Sequence, residues 1–117
     1  MSEYRTERVG RLIQEKIGAL IVEGKVKDPR VDPFLSITRV AVSRDLVYAD
    51  CYVSSYKSTG LSDGVEGLRS AAGFIQSQLA KAMRIRQTPR LRFHEDRGIR
   101  EGFEIVQKIE DLVRGLD

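Results

Sequence analysis

The sequence predicts an α+β fold in the order α-β-β-α-α-β-α, with a three-stranded mixed sheet and helices packed on one face. Three observations predict it. Apolar residues recur at three- and four-residue steps over 4–23 and again near the C-terminus, which marks amphipathic helices. Between Phe34 and Tyr56 two alternating runs, the first with a change of phase, flank Ser43-Arg44-Asp45, which marks a hairpin. From Leu68 to Phe93 a kinked helical pattern runs into a basic loop and then an alternating strand.

The first helix spans 4–23, with Val9, Leu12, Ile13, Ile17, Leu20 and Ile21 as its apolar stripe and Gly24 as its stop. Gly10 and Gly18 each weaken it by roughly 1 kcal/mol against alanine, so it depends on docking. Lys25 to Pro33 is a connector in which Asp28-Pro29-Arg30 forms a turn. The strands are Phe34–Val42 and Leu46–Tyr56. In the second, Val47, Ala49, Cys51 and Val53 face the helices, and Cys51 is a small core residue. Tyr48 and Tyr52 stand on the open face, suited to cross-strand packing and, as the other use, to stacking on bases. In the first strand Leu35 and Ile37 are out of phase with Val40 and Val42. A bulge near Thr38-Arg39 reconciles them.

Lys57 to Gly67 is polar and glycine-rich, and leads into the kinked unit. There Leu68, Ile75, Leu79, Ala82 and Met83 share one helical face, interrupted by the small residues Ala71, Ala72 and Gly73, with Gly73 free to bend the chain. Pro89 stops the helix. Leu91 and Phe93 then alternate with Arg90, Arg92 and His94. A last helix over 97–117 presents Ile99, Phe103, Val106, Ile109, Leu112 and Val113, with Asp96 as its cap.

A chain of 117 residues is one domain. Its net charge of +3 does not by itself indicate nucleic acid. Clustering does: Lys81, Arg84, Arg86, Arg90 and Arg92 fall within twelve residues. Arginines suit phosphate, because the planar fork contacts it bidentately and also stacks on bases. No apolar stretch is long enough to span a membrane, and the N-terminus has no signal core. The single cysteine fits a reducing cytoplasm. Catalysis is not expected. The one histidine, His94, lacks companions for a metal site, Cys51 belongs to the buried phase, and no phosphate-cradling or dinucleotide motif is present. No cofactor and no metal is expected.

The run AAGFIQSQLAKAMRIRQTPRLRF resembles the core of the ribosome-binding factor A family. The likeness continues through Asp28-Pro29-Arg30, the strands at Ile37–Ser54 and the helix at Arg8–Ile17. It implies a type II KH-like fold in which an Ala-x-Gly kink, matched by Ala71-Ala72-Gly73, replaces the usual Gly-x-x-Gly loop. Gly64-Val65-Glu66-Gly67 has that loop's spacing, but Glu66 would set a negative charge against phosphate. The resemblance further implies a cytoplasmic, non-enzymatic, monomeric factor that binds the free small (30S) ribosomal subunit and supports 16S rRNA maturation. Phosphate contacts are expected from Arg84, Arg86, Arg90 and Arg92, with Lys81 and Arg69 beside them. Family members often carry a longer polar tail, so functions residing there are not expected here. A general RNA-binding module and a protein-interaction domain are the alternatives.

Overall fold

One apolar side chain per turn builds the first element. In the computed structural model, which describes residues 2–57, 59–84 and 87–96, helix α1 (Ser2–Val22) buries Val9, Ile13, Ile17 and Ile21. Leu20 packs partly against the same core. Leu12, expected in the stripe, is instead 39% exposed, because it lies a hundred degrees round the helix from Ile13. The stop at Gly24 has a defined geometry. Gly24 adopts φ 67°, its N–H donates to the Ile21 carbonyl at 3.1 Å, and that of Lys25 donates to Leu20 at 2.9 Å. This Schellman cap needs a residue free to turn left-handed.

Helix α1 lies against strand β1 (Leu35–Val42), which pairs antiparallel with β2 (Tyr48–Ser55). The register shifts between Ile37 and Arg39, the bulge the sequence calls for. It sets Leu35, Ile37, Val40 and Val42 on the core side and turns Arg39 to the open face opposite Tyr52. Gln14 of α1 donates to the Ile37 carbonyl at the bulge, 3.0 Å away. A Cβ at Gly10 would come within 2.8 Å of the Val40 carbonyl oxygen. Gly10 therefore sets how closely α1 approaches the sheet.

The hairpin loop is wider than the alternation suggests, because β2 starts at Tyr48 rather than Leu46. Leu46 adopts φ 61°. Ser43 and Asp45 hold the loop: the Ser43 hydroxyl donates to Asp45 at 2.7 Å and accepts from the Tyr48 N–H at 3.0 Å.

Strand β3 (Arg90–Glu95) runs parallel to β2 and completes the mixed sheet in the order β1-β2-β3. Adjacent parallel strands need a crossover, supplied by α2 (Leu61–Ser70) and α3 (Ala72–Ala82). Val65, Leu68, Ile75, Leu79 and Met83 of this crossover close over Ala49, Cys51, Val53, Leu91 and Phe93, all buried. Helix α3 ends at Ala82, with Met83 already extended, so Pro89 does not stop it. The buried Pro89 ring instead anchors the start of β3. The expected C-terminal helix lies outside the described residues.

Helix α2 corrects the sequence reading. The polar, glycine-rich segment is helical from Leu61 onward, and Gly64-Val65-Glu66-Gly67 lies inside it. Tertiary packing is the reason. A Cβ on Gly64 would lie 2.7 Å from both methyls of Leu35, and one on Gly67 would lie 2.9 Å from Val31 Cγ2 and 3.0 Å from Arg30 Cβ. These glycines let β1 and the connector press onto the helix. Gly64→Ala should therefore lower stability by about 1–2 kcal/mol, as overpacking outweighs the helix gain. Gly18→Ala, with nothing within 4 Å of its Cβ, should raise stability by about 0.5–1 kcal/mol. Urea midpoints of the two variants check the contrast.

The Asp28-Pro29-Arg30 turn ties the connector to the end of α2. The Asp28 carboxylate accepts from the Arg30 N–H at 2.9 Å and its guanidinium at 2.8 and 3.0 Å, while that guanidinium also donates to the Ser70 hydroxyl at 3.0 Å. Hydrogen bonds from Arg30 hold the Asp28 carboxyl at about 2, below its ordinary 3.8. The unfolded chain takes up this proton first, so the contribution is complete above about pH 4 and is lost as pH falls towards 2. Asp28→Asn should flatten the fall in thermal midpoint across that window. An unchanged profile would show that the turn does not stabilise the fold through this charge.

Candidate nucleic-acid interface

Two elements meet where the cations gather. The last turn of α3 carries Lys81, Arg84 follows two residues beyond the helix, and Arg90 opens β3. All three are exposed, and none forms an ion pair among the described residues. Arg86, expected between them, lies outside the described residues. Beside this edge is a groove of about 330 Å³ lined by Arg69, Ala72, Leu91, Arg92, Phe93 and His94. Among the described residues β3 is an edge strand, and the groove lies between it and the junction of α2 and α3.

The two remaining arginines have structural partners. Arg69 pairs with Glu66 one turn back, and its guanidinium donates to the Phe93 carbonyl at 2.8 and 3.1 Å. It thereby latches α2 onto β3. Arg92 alternates to the open face, where its guanidinium makes two bonds to the Asp50 carboxylate at 2.8 and 3.0 Å and lies 4.2 Å over the Tyr48 ring. Arg92 holds the Asp50 carboxyl below its ordinary value, with His94 adding to the effect at 2.7 Å. Asp50 alternates with the buried Ala49 and Cys51, which puts it on the open face. Its pairing with Arg92 follows from the parallel register, which sets the two directly opposite.

These features have recognisable relatives. The profile of the family described as ribosome-binding factor A matches residues 5–109. The chain belongs to the ribosome-binding factor A family. Ribosome-binding factor A of Treponema denticola is 51% identical over 113 residues, covering 96% of this chain and 86% of the relative. The crystal structure of the Thermus thermophilus factor superposes with a TM-score of 0.65 at 22% identity, over 77% of this chain and 94% of that one. A homology model of the T. thermophilus factor, fitted into a cryo-electron-microscopy map of a 30S complex, has a TM-score of 0.54 at 24% identity. It covers 73% of this chain and 92% of that one.

The fold is thus the KH type II-like fold of ribosome-binding factor A. In this chain α2 and α3 meet at Ala71, with φ −90° and ψ 4°. Gly73 is the second residue of α3, has no positive φ, and a Cβ there would meet nothing within 4 Å. The bend expected at Gly73 is therefore absent, and the backbone change falls at Ala71. Ala71 and Ala72 each line a groove, on opposite sides of the break. The second groove, about 390 Å³, also includes Lys25, Lys27 and Phe74.

Cys51 is buried, and desolvation pushes its thiol up to about 12. A disulfide reagent such as Ellman's is expected to label it only after denaturant is added; rapid labelling of the native protein would contradict its placement. No helix among the described residues is long and apolar enough to cross a membrane.

Proposed function

We propose that this protein is a non-enzymatic assembly factor that binds the free small ribosomal subunit in the cytoplasm and supports 16S rRNA maturation, acting as a single domain. Family membership across 5–109 carries the proposal, and the T. thermophilus factor's 30S complex names the kind of particle. The chain's own contribution is the edge formed by Lys81, Arg84 and Arg90. Cations with no ion-pair partner among the described residues are placed to bind phosphates and release condensed counterions, which gives affinity without reading sequence. Arg86, between Arg84 and Arg90 in the sequence, is proposed to contact phosphate as well. Arg69 and Arg92 border the groove and act by holding its walls. The mechanism is conformational: binding one arrangement of the subunit's RNA better than another shifts the population toward it.

Gradient sedimentation with isolated subunits and translating ribosomes tests this reading. The protein should migrate with free small subunits, be absent from translating ribosomes, and dissociate as salt rises. Binding to unstructured RNA with no subunit preference would favour a general RNA-binding module. Binding to the subunit without salt dependence would favour docking on ribosomal protein.

A further inference from the structure

The open face of the sheet is unlike an ordinary solvated one. Arg39, Tyr52 and His94 stand opposite one another across all three strands. The Arg39 guanidinium lies 4.2 Å over the Tyr52 ring, and the His94 ring centroid is 5.3 Å from that of Tyr52, tilted by 33°. One row away, Arg92 covers Tyr48 while Asp50 fixes both Arg92 and His94. Arg90 stands opposite Tyr48 on the same face. Three arginines and a histidine thus share this face with Asp50. Asp96, just beyond β3, accepts from the Thr38 hydroxyl at 2.5 Å.

We propose that this face is a second RNA contact, a platform on which unpaired bases stack against the planar guanidiniums of Arg39 and Arg92, which Tyr52 and Tyr48 support from beneath. Three features favour RNA. The planar groups are already ordered, Arg92 and His94 by Asp50 and Arg39 by Tyr52, so little freedom is lost on binding. The charge balance is positive, and Arg90 is available to phosphate. The face also joins the groove between the α2–α3 junction and β3, because Arg92 and His94 belong to both. A strand lying in that groove can therefore turn its bases over the edge onto the guanidiniums that cover the tyrosines. Asp50 neutralises the nearest cation, so stacking rather than charge supplies the affinity here.

This inference rests on the RNA-binding reading above, and its test separates the two. Affinity of the full-length protein for isolated small subunits is measured across a salt series for Tyr48→Leu, Tyr52→Leu, Tyr52→Phe and Arg90→Gln, with melting curves to confirm folding. Removing the platform for a stacked base should weaken binding about five- to hundredfold in each leucine variant with the salt slope unchanged. Tyr52→Phe should retain wild-type affinity. Arg90→Gln should instead reduce the slope. Ultraviolet crosslinking of the wild-type complex should join nucleotides to Tyr48, Tyr52 or His94. Wild-type binding by Tyr52→Leu overturns the proposal, as do crosslinks from this face to ribosomal protein alone. If the wild-type protein fails to bind subunits, the assembly-factor reading falls. The platform is then decided by an unstructured uridine decamer, which Tyr52→Leu must bind more weakly than wild type.

Discussion

Phe93→Ala is expected to lower the unfolding free energy by about 3–5 kcal/mol, a large share of the roughly 5–15 kcal/mol typical of a domain. Phe93 is 2% exposed and sits mid-strand in β3, in the core closed by α2 and α3. Truncation leaves a cavity that helices on both sides of the Ala71 break cannot readily collapse to fill. The residue's carbonyl also receives the Arg69 latch, and the two effects are separable. Arg69→Met keeps the side-chain stem but removes the donors, and should cost about 1–2 kcal/mol. Urea denaturation of both variants checks the ranking. A loss below about 1 kcal/mol for Phe93→Ala would contradict the packing of β3.

Replacing Lys81, Arg84 and Arg90 together by glutamine should have the largest effect on binding. Each phosphate that a cation no longer neutralises reduces the dependence of log affinity on log salt by about 0.7–0.9, so the slope of the triple variant should be shallower by about 2–2.7. Between about 50 and 200 mM salt, the wild type should accordingly weaken about 25-fold more than the variant. The melting temperature should change little, because all three side chains are exposed and none has an ion-pair partner among the described residues. Asp50→Asn provides the contrast. It frees Arg92 from its bidentate partner, and should increase the slope while disordering the open face.

Much of this fold is written locally. The spacing from Val9 to Ile21 specifies α1, the phase change between Ile37 and Val40 specifies the bulge, and the alternation from Arg90 to His94 specifies β3. Each is a periodicity, and a periodicity needs no partner to be read. Helix α2 is different. Gly64 and Gly67 lower its intrinsic helicity, and only their closeness to Leu35 and Val31 reveals their purpose. The candidate site divides the same way. The exposed cations at the end of α3 follow from their clustering in sequence. The engagement of Arg92 by Asp50 joins residues 42 apart, and that of Arg69 by the Phe93 carbonyl joins residues 24 apart. Both depend on strand register and helix placement. The location of the break follows backbone geometry too: Gly73 has the freedom to bend, but the change occurs at Ala71.

The central claim is that the edge where α3 ends and β3 begins touches the RNA of the small subunit. Photocrosslinking tests it most directly, with Lys81 replaced by p-benzoylphenylalanine in the full-length protein and irradiation in complex with purified small subunits. Glu15, on the exposed side of α1, carries the probe in a control. The account predicts crosslinks from position 81 to 16S rRNA, abolished when Arg84 and Arg90 are also replaced by glutamine. Crosslinks from position 81 only to ribosomal proteins, or none while position 15 crosslinks to the RNA, would contradict it.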